Sequence, residues 1–237
     1  MSASSNPIKV AIAGVGNCAQ ALLEGIEYYR QNQNDERGLM NPDLGGYRVT
    51  DIVPVAAFDV NAHKVGKDLN EAIYGEPNNA YRYPGVEVKP YGVTVHMASP
   101  LDGNPPHLAE FAPLSDATPC DVATVLKESG AEMLLNFLPT ESHDAAHMFA
   151  DAAIREAKIG FINGMPTLIT CNPEYQKVAI ENGVPLVGDD VKSQLGGTAI
   201  HRALAVLMNN RGVNLAETYQ INYAGNTDFA NLMNRGL

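Results

Sequence analysis

The sequence predicts an α/β protein built on a doubly wound parallel sheet, and three observations predict it. Short, fully apolar runs recur along the chain, segments with helical spacing separate them, and the first run leads straight into a glycine-rich turn. Apolar residues at successive positions suit strands covered on both faces, and strands alternating with helices imply parallel βαβ units. The 237 residues fit one large domain or one and a half ordinary ones, and 45% hydrophobic residues suffice for a sizeable core.

The first strand is Ile8 to Ala13. The helix after it, Asn17 to Tyr29, places Ala21, Leu22, Ile26 and Tyr29 near one face. Arg30 to Thr50 is polar and rich in Asn and Gly, and reads as an insertion or long surface loop. Val53 to Phe58 is the second strand. Gly75 to Pro119 holds many of the prolines, including Pro105-Pro106, and reads as a second insertion, of the kind a compact domain keeps for binding or assembly. Met133 to Phe137 is a strand, and Glu141 to Ala157 a helix that repeats Ala145, Met148, Phe149, Ala152 and Ala153 at helical spacing. Ile159 to Ile162 and Val184 to Val187 are the remaining strands. Ser193 to Asn210 opens on a possible cap, keeps Ile200, Leu204 and Leu207 on one face, and ends before Arg211-Gly212 as a last crossover helix.

Charge narrows the partners. With 16 Lys+Arg against 27 Asp+Glu, the net charge of -11 leaves no basic stripe for phosphates, so neither nucleic acid nor an anionic membrane is expected. Cys18, Cys120 and Cys171 are odd in number and widely spaced, which suits neither a disulfide scaffold nor a zinc site. The start, MSASSNPIKVAIAG, has no apolar stretch long enough to span a bilayer and no signal-peptide arrangement, and the cytoplasm is the expected compartment. His143 and His147 have the i,i+4 spacing of a metal pair, but no third ligand is evident. An exposed polar face is the reading preferred there, with no metal.

The sharpest local signal is Gly14-Val15-Gly16-Asn17-Cys18-Ala19, a G-x-G-x-x-A turn between strand and helix. Gly14 permits the tight turn, Gly16 has no Cβ to block a pyrophosphate, and Ala19 lets helix and strand pack closely. Backbone N–H groups at Asn17 and Cys18 then face the anion, aided by the helix dipole. A Rossmann-like, dinucleotide-binding domain follows, with a mere tight turn as the alternative. Cys18 has no local base and is expected to pack under the dinucleotide. Asp59 ends the second strand, where its carboxylate would accept the adenosine ribose hydroxyls and repel a 2′-phosphate, favouring NAD over NADP. The gap from Gly14 exceeds the usual ~20 residues, which the polar insertion explains; a solvated turn Asp is the alternative. Asn136 with Pro139, and Asn163 with Pro166, follow strands whose carboxyl ends line the crevice of an open parallel sheet. Gly188-Asp189-Asp190-Val191-Lys192-Ser193 is a charged turn with two readings, helix capping or a site.

Four segments together resemble the shorter bacterial and archaeal myo-inositol-1-phosphate synthases: KVAIAGVGNCAQALLEGIEYY, VAAFDVNAHKVGKDL, FINGMP and above all VPLVGDDVKSQLGGT. The resemblance covers nearly the whole chain. It implies an isomerase that cyclises glucose 6-phosphate to an inositol phosphate with tightly held NAD. In that chemistry C5 is oxidised to a ketone, a proton leaves C6, the C6–C1 bond closes as an intramolecular aldol, and the hydride returns. Lys192 is the candidate to stabilise the enolate and aldolate oxygens, and Asp190 to orient the nicotinamide carboxamide, with Ser193 beside the cofactor. The resemblance also implies a homo-oligomer, a homotetramer in the complete family form. Family members continue well beyond the point where this chain stops, so residues 1–214 are expected to form the NAD-binding domain and 215–237 the start of an incomplete α+β catalytic and tetramerisation domain. Glu217 to Ala224 would be its first strand, and Gly225 to Phe229 a turn leading to the active site. On that reading the chain alone lacks part of the active site; a natural end after Arg235-Gly236 is the competing one. An NAD-dependent sugar or amino-acid dehydrogenase, or a non-catalytic NAD-binding remnant, are the other functions the same crevice admits.

Overall fold

The computed structural model describes residues 7–104, 106–110, 112–191, 195–223, 225–226 and 229. The described residues fall into two compact units, the first within residues 7–190 with 226 and 229, and the second within residues 191–225. In the first, six parallel strands make one sheet: β1 (Ile8–Ala13), β2 (Ile52–Asp59), β3 (Val95–Met97), β4 (Met133–Asn136), β5 (Gly160–Asn163) and β6 (Leu186–Val187). Their order is β3-β2-β1-β4-β5-β6. Chain order therefore reverses between β1 and β4, the switch point at which open parallel sheets leave a crevice beyond their carboxyl ends.

The apolar runs are continuous because alternate residues serve different cores. Ala11, Ala13, Ala56 and Phe58 are buried with Leu126 of α3 (Val122–Ser129), Phe149 of α4 (His143–Ala150) and Tyr175 of α5 (Pro173–Asn182). Val10, Ile12 and Ala57 are buried with Leu23 and Ile26 of α1 (Asn17–Gln31) and Leu69 of α2 (Leu69–Ala72). Side chains such as Phe58, Leu23 and Ile26, all fully buried, each contribute about 1.5–3 kcal/mol by leaving water.

Several elements depart from expectation. The Gly75 to Pro119 stretch is not wholly an insertion, since β3 lies within it as an edge strand, paired Phe58 to His96, and Val88, Ala98 and Leu108 are buried. Arg30 and Gln31 remain helical. Helices α3 and α5 were not anticipated, yet both carry their punctuation: Asp121 accepts from the Thr124 N–H and Asn172 from the Glu174 N–H, while Gly130 and Gly183 close them in the left-handed region. The helix expected over Glu141 to Ala157 is α4 followed by a π-helical stretch, Asp151–Ala157. Among the described residues no helix is long and apolar enough to cross a membrane.

The second unit holds α6 (Gly197–Asn210), beginning after Gly196, while Ser193, the start expected for it, lies outside the described residues. The expected last crossover helix thus belongs to this unit, and none of its residues is buried. His201 Nδ1 lies 2.9 Å from Gln220 Oε1, and Gln220 donates to Asn222 Oδ1 at 2.7 Å. Residues 217–223 form no strand; a strand exists only through a ladder partner, and they have none among the described residues.

Candidate functional site

The turn after β1 is held open by two glycines with different jobs. Gly14 donates its N–H to the Phe58 carbonyl at 2.9 Å and sits at φ +87, where a Cβ would lie 2.6 Å from the Phe137 carbonyl oxygen. Only glycine fits such a close backbone approach. Gly16 is the N-cap of α1 in an extended conformation, and a Cβ on it would meet nothing within 4 Å. That open space lies where a ligand would approach the helix start.

Other helices of this unit have their first turns filled by the protein itself. Asp68, Asp121 and Asn172 cap α2, α3 and α5, and the Asp102 carboxylate accepts from the Asp144 and Ala145 N–H groups of α4 at 2.7 and 2.9 Å. Helix α1 begins at a glycine, which has no side chain to cap it, and has no acidic residue in its first turn. A helix start with its partial positive charge is a seat for an anion, and this one stands at the switch point of the sheet. The residues present therefore suit the pyrophosphate of a dinucleotide.

Asp59 closes β2 as expected, but its carboxylate is turned inward rather than into a solvated turn. Oδ2 accepts the Val15 N–H at 2.8 Å, and Oδ1 accepts those of Val60 and Asn61 at 2.8 and 2.9 Å. With its side chain only 11% exposed, hydrogen bonds to ribose hydroxyls would compete with these three donors. The Asn17 side chain is likewise engaged: its oxygen accepts from the Asn79 and Ala80 N–H groups at 2.9 and 3.0 Å, and its amide donates to Asn79 Oδ1 at 2.8 Å. What Asn17 offers a ligand is its backbone at the helix start. Cys18 is exposed at the same turn.

Asn136 and Asn163, at the ends of β4 and β5, are fully buried and bonded to each other, Nδ2 of Asn136 donating to Oδ1 of Asn163 at 2.9 Å. Asn163 in turn donates to Thr167 O at 2.6 Å and to Asp189 Oδ1 at 2.7 Å. Pro139 opens the loop after β4, its carbonyl accepting from the Ser142 N–H at 3.3 Å. Asp189 also accepts from the N–H groups of Ile169, Thr170 and Cys171. It therefore serves neither of the two readings of its turn alone, but ties the loop after β5 to the end of β6. Asp190 is exposed, at φ +69, with its N–H on the Met165 carbonyl at 3.0 Å. Lys192 and Ser193, and Thr227 and Asp228 of the later turn, lie outside the described residues.

Burial works against the Asp189 charge, yet the Asn163 amide and the N–H groups of Thr170, Cys171 and Ile169 outweigh it and hold the carboxyl below its usual 3.8. Its contribution to stability is complete above the unfolded value and is lost as pH falls through the lower folded one. Asp189→Asn is expected to cost about 1 kcal/mol at pH 7, discounted for partial exposure. In urea titrations the deficit should shrink below pH 3.8; a deficit independent of pH would remove the charged acceptor from the account.

The two histidines turn to different partners. His143 Nδ1 lies 2.9 Å from Thr167 Oγ1, with its side chain 51% exposed, while His147 Nδ1 lies 3.1 Å from the Tyr175 hydroxyl and its ring stacks on that tyrosine. His143 thus keeps the exposed face expected, and His147 packs against α5. A cleft of about 360 Å³ lined by Glu27, Arg30, Gln31, Lys89, Pro90 and Tyr91 sits at the other end of α1. Asp102 at the start of α4, and Asn78 and Lys64 beside the glycine turn, carried no local signal in the sequence.

A family model described as myo-inositol-1-phosphate synthase matches residues 196–236. The inositol-3-phosphate synthase of Mycolicibacterium smegmatis is 44% identical over 237 residues, 99% of this chain and 64% of that protein. The chain thus spans about 64% of the length of that curated relative. The crystal structure of Ari2 superposes with a TM-score of 0.83 at 40% identity, covering 96% of this chain and 67% of that one. A myo-inositol-1-phosphate synthase-related protein from Thermotoga maritima, at 20% identity and a TM-score of 0.65 over 87% of this chain and 60% of that one, shares the fold.

Proposed function

The chain belongs to the myo-inositol-1-phosphate synthase family, and from that premise we propose that it holds NAD for the cyclisation of glucose 6-phosphate to an inositol phosphate. The observation that carries the reading is the glycine turn at the switch point, with open space at Gly16 and a helix that begins at a glycine with no acidic residue in its first turn. When bound there, the nicotinamide would accept a hydride from the sugar and give it back, so that the cofactor ends unchanged.

The residues of the chain divide the work. Gly14 and Gly16 let the backbone approach the pyrophosphate, and the N–H groups at Asn17 and Cys18 point toward it. The negative charge of Asp59 disfavours a 2′-phosphate, which selects NAD over NADP. Asn136, Pro139 and Asn163 border the crevice at the strand ends. On the resemblance of their segment to the family, we assign Asp190 to the carboxamide, Ser193 to the cofactor, and the Lys192 ammonium to the sugar phosphate and the oxygens that become negative. A sugar phosphate needs several donors, of which the Lys192 ammonium is one. A homotetramer in the cytoplasm is the setting we infer from the resemblance to the family.

The test is to titrate the chain with NAD and NADP in a calorimeter, then to analyse products from glucose 6-phosphate. NAD should bind in preference to NADP, and any sugar turned over should be recovered as inositol phosphate with NAD unchanged. No NAD binding, or NADH formed in step with an oxidised sugar, would overturn the proposal.

A further inference from the structure

We propose that Lys64 is a positioning residue for the dinucleotide turn, joining two clamps that grip Val15 from both sides. The proposal rests on the reading of that turn as the seat of NAD. Val15 stands between the two glycines, where the chain is conformationally loosest. Its N–H is taken by Asp59 Oδ2 at 2.8 Å, and its carbonyl accepts from Asn78 Nδ2 at 3.1 Å. Asp59 comes from the end of β2, whereas Asn78 comes from the loop after α2 and also donates to the Ile73 carbonyl at 2.7 Å. Lys64 connects them: its Nζ donates to Asn78 Oδ1 at 2.8 Å and lies 3.9 Å from Asp59 Oδ2.

The lysine is 4% exposed, and a buried ammonium is costly unless its partners hold it. Burial pushes its pKa down and the Asp59 charge opposes that shift. A core position so close to Val15 would be filled more cheaply by an apolar side chain if packing were its whole purpose. What the ammonium adds is orientation: it fixes which end of the Asn78 amide faces Val15, and it faces the carboxylate that holds the Val15 N–H. The peptide units on both sides of Val15 are thereby set before a ligand arrives, and preorganised donors bind without the cost of ordering them.

The experiment compares the wild type with Lys64→Met, which keeps the aliphatic stem, and Asn78→Ala, measuring NAD affinity by calorimetry and backbone amide exchange by NMR. Each single variant should bind NAD roughly tenfold more weakly. The double variant should be little worse than either, because both act through Val15. Exchange of the Val15 N–H should quicken while core amides such as Leu23 and Phe58 keep their protection. Wild-type affinity with unchanged Val15 exchange in Lys64→Met would overturn the proposal, as would a uniform loss of protection across the sheet, the mark of a purely structural lysine. A wild type that binds no NAD would refute the seat instead, and the exchange measurement, which needs no ligand, would still decide the clamp.

Discussion

Gly16→Val is expected to weaken NAD binding by about 100-fold while leaving the fold intact. The two halves of this expectation have separate causes. At φ -93 and ψ -161, Gly16 has a backbone that any residue adopts, and a Cβ there meets no protein atom within 4 Å. Valine therefore costs the free protein little. It projects instead into the space above the start of α1, where a pyrophosphate must come close to the backbone to reach the N–H groups. Calorimetry should show the loss, with a thermal midpoint within a few degrees of the wild type by the same preparation; undiminished affinity would show that this space is not the seat of a ligand.

Gly14→Ala, two residues away, is expected to do the opposite. Here φ is +87 and the added methyl would stand 2.6 Å from the Phe137 carbonyl oxygen and 2.8 Å from its carbon. Backbone atoms cannot swing aside as a flexible side chain can, and Phe137 is tied to β1 by its N–H on the Ala13 carbonyl at 2.8 Å. Positive-φ strain costs about 1–3 kcal/mol and overpacking about 1–3 kcal/mol. A loss of about 4 kcal/mol would lower the thermal midpoint by roughly 8–16 °C at about 2–4 °C per kcal/mol. A midpoint unchanged by the substitution would mean that β1 and β4 do not meet at this turn.

The difference between what the sequence revealed and what it hid follows from range. Ile8 to Ala13 and the helix start at Asn17 are legible to the residue, because an apolar run, a glycine turn and helical spacing are all local. Val95–Met97 escaped notice since three residues, only one of them β-branched, show no period amid prolines. The caps Asp121 and Asn172 were readable in retrospect, the second with Pro173 after it.

The site divides in the same way. Asn136 and Asn163 could be placed at strand ends, but their mutual bond depends on β4 and β5 being neighbours in the sheet. Asp102 fills the start of a helix 42 residues further on. Lys64 reads as one more charge in a polar stretch, and it becomes a buried link only once the loop bearing Asn78 folds over it. The place of Asp59 at the end of β2 is legible in the sequence, while the direction of its carboxylate is not, because its partner Val15 lies 44 residues earlier.

The most direct measurement is a crystal structure of the chain grown with NAD. The pyrophosphate should lie within hydrogen-bond distance of the backbone N–H groups at the start of α1, over Gly16. Density for the dinucleotide in the cleft by Arg30 and Tyr91, or a glycine turn with no ligand at saturating NAD, would contradict the account.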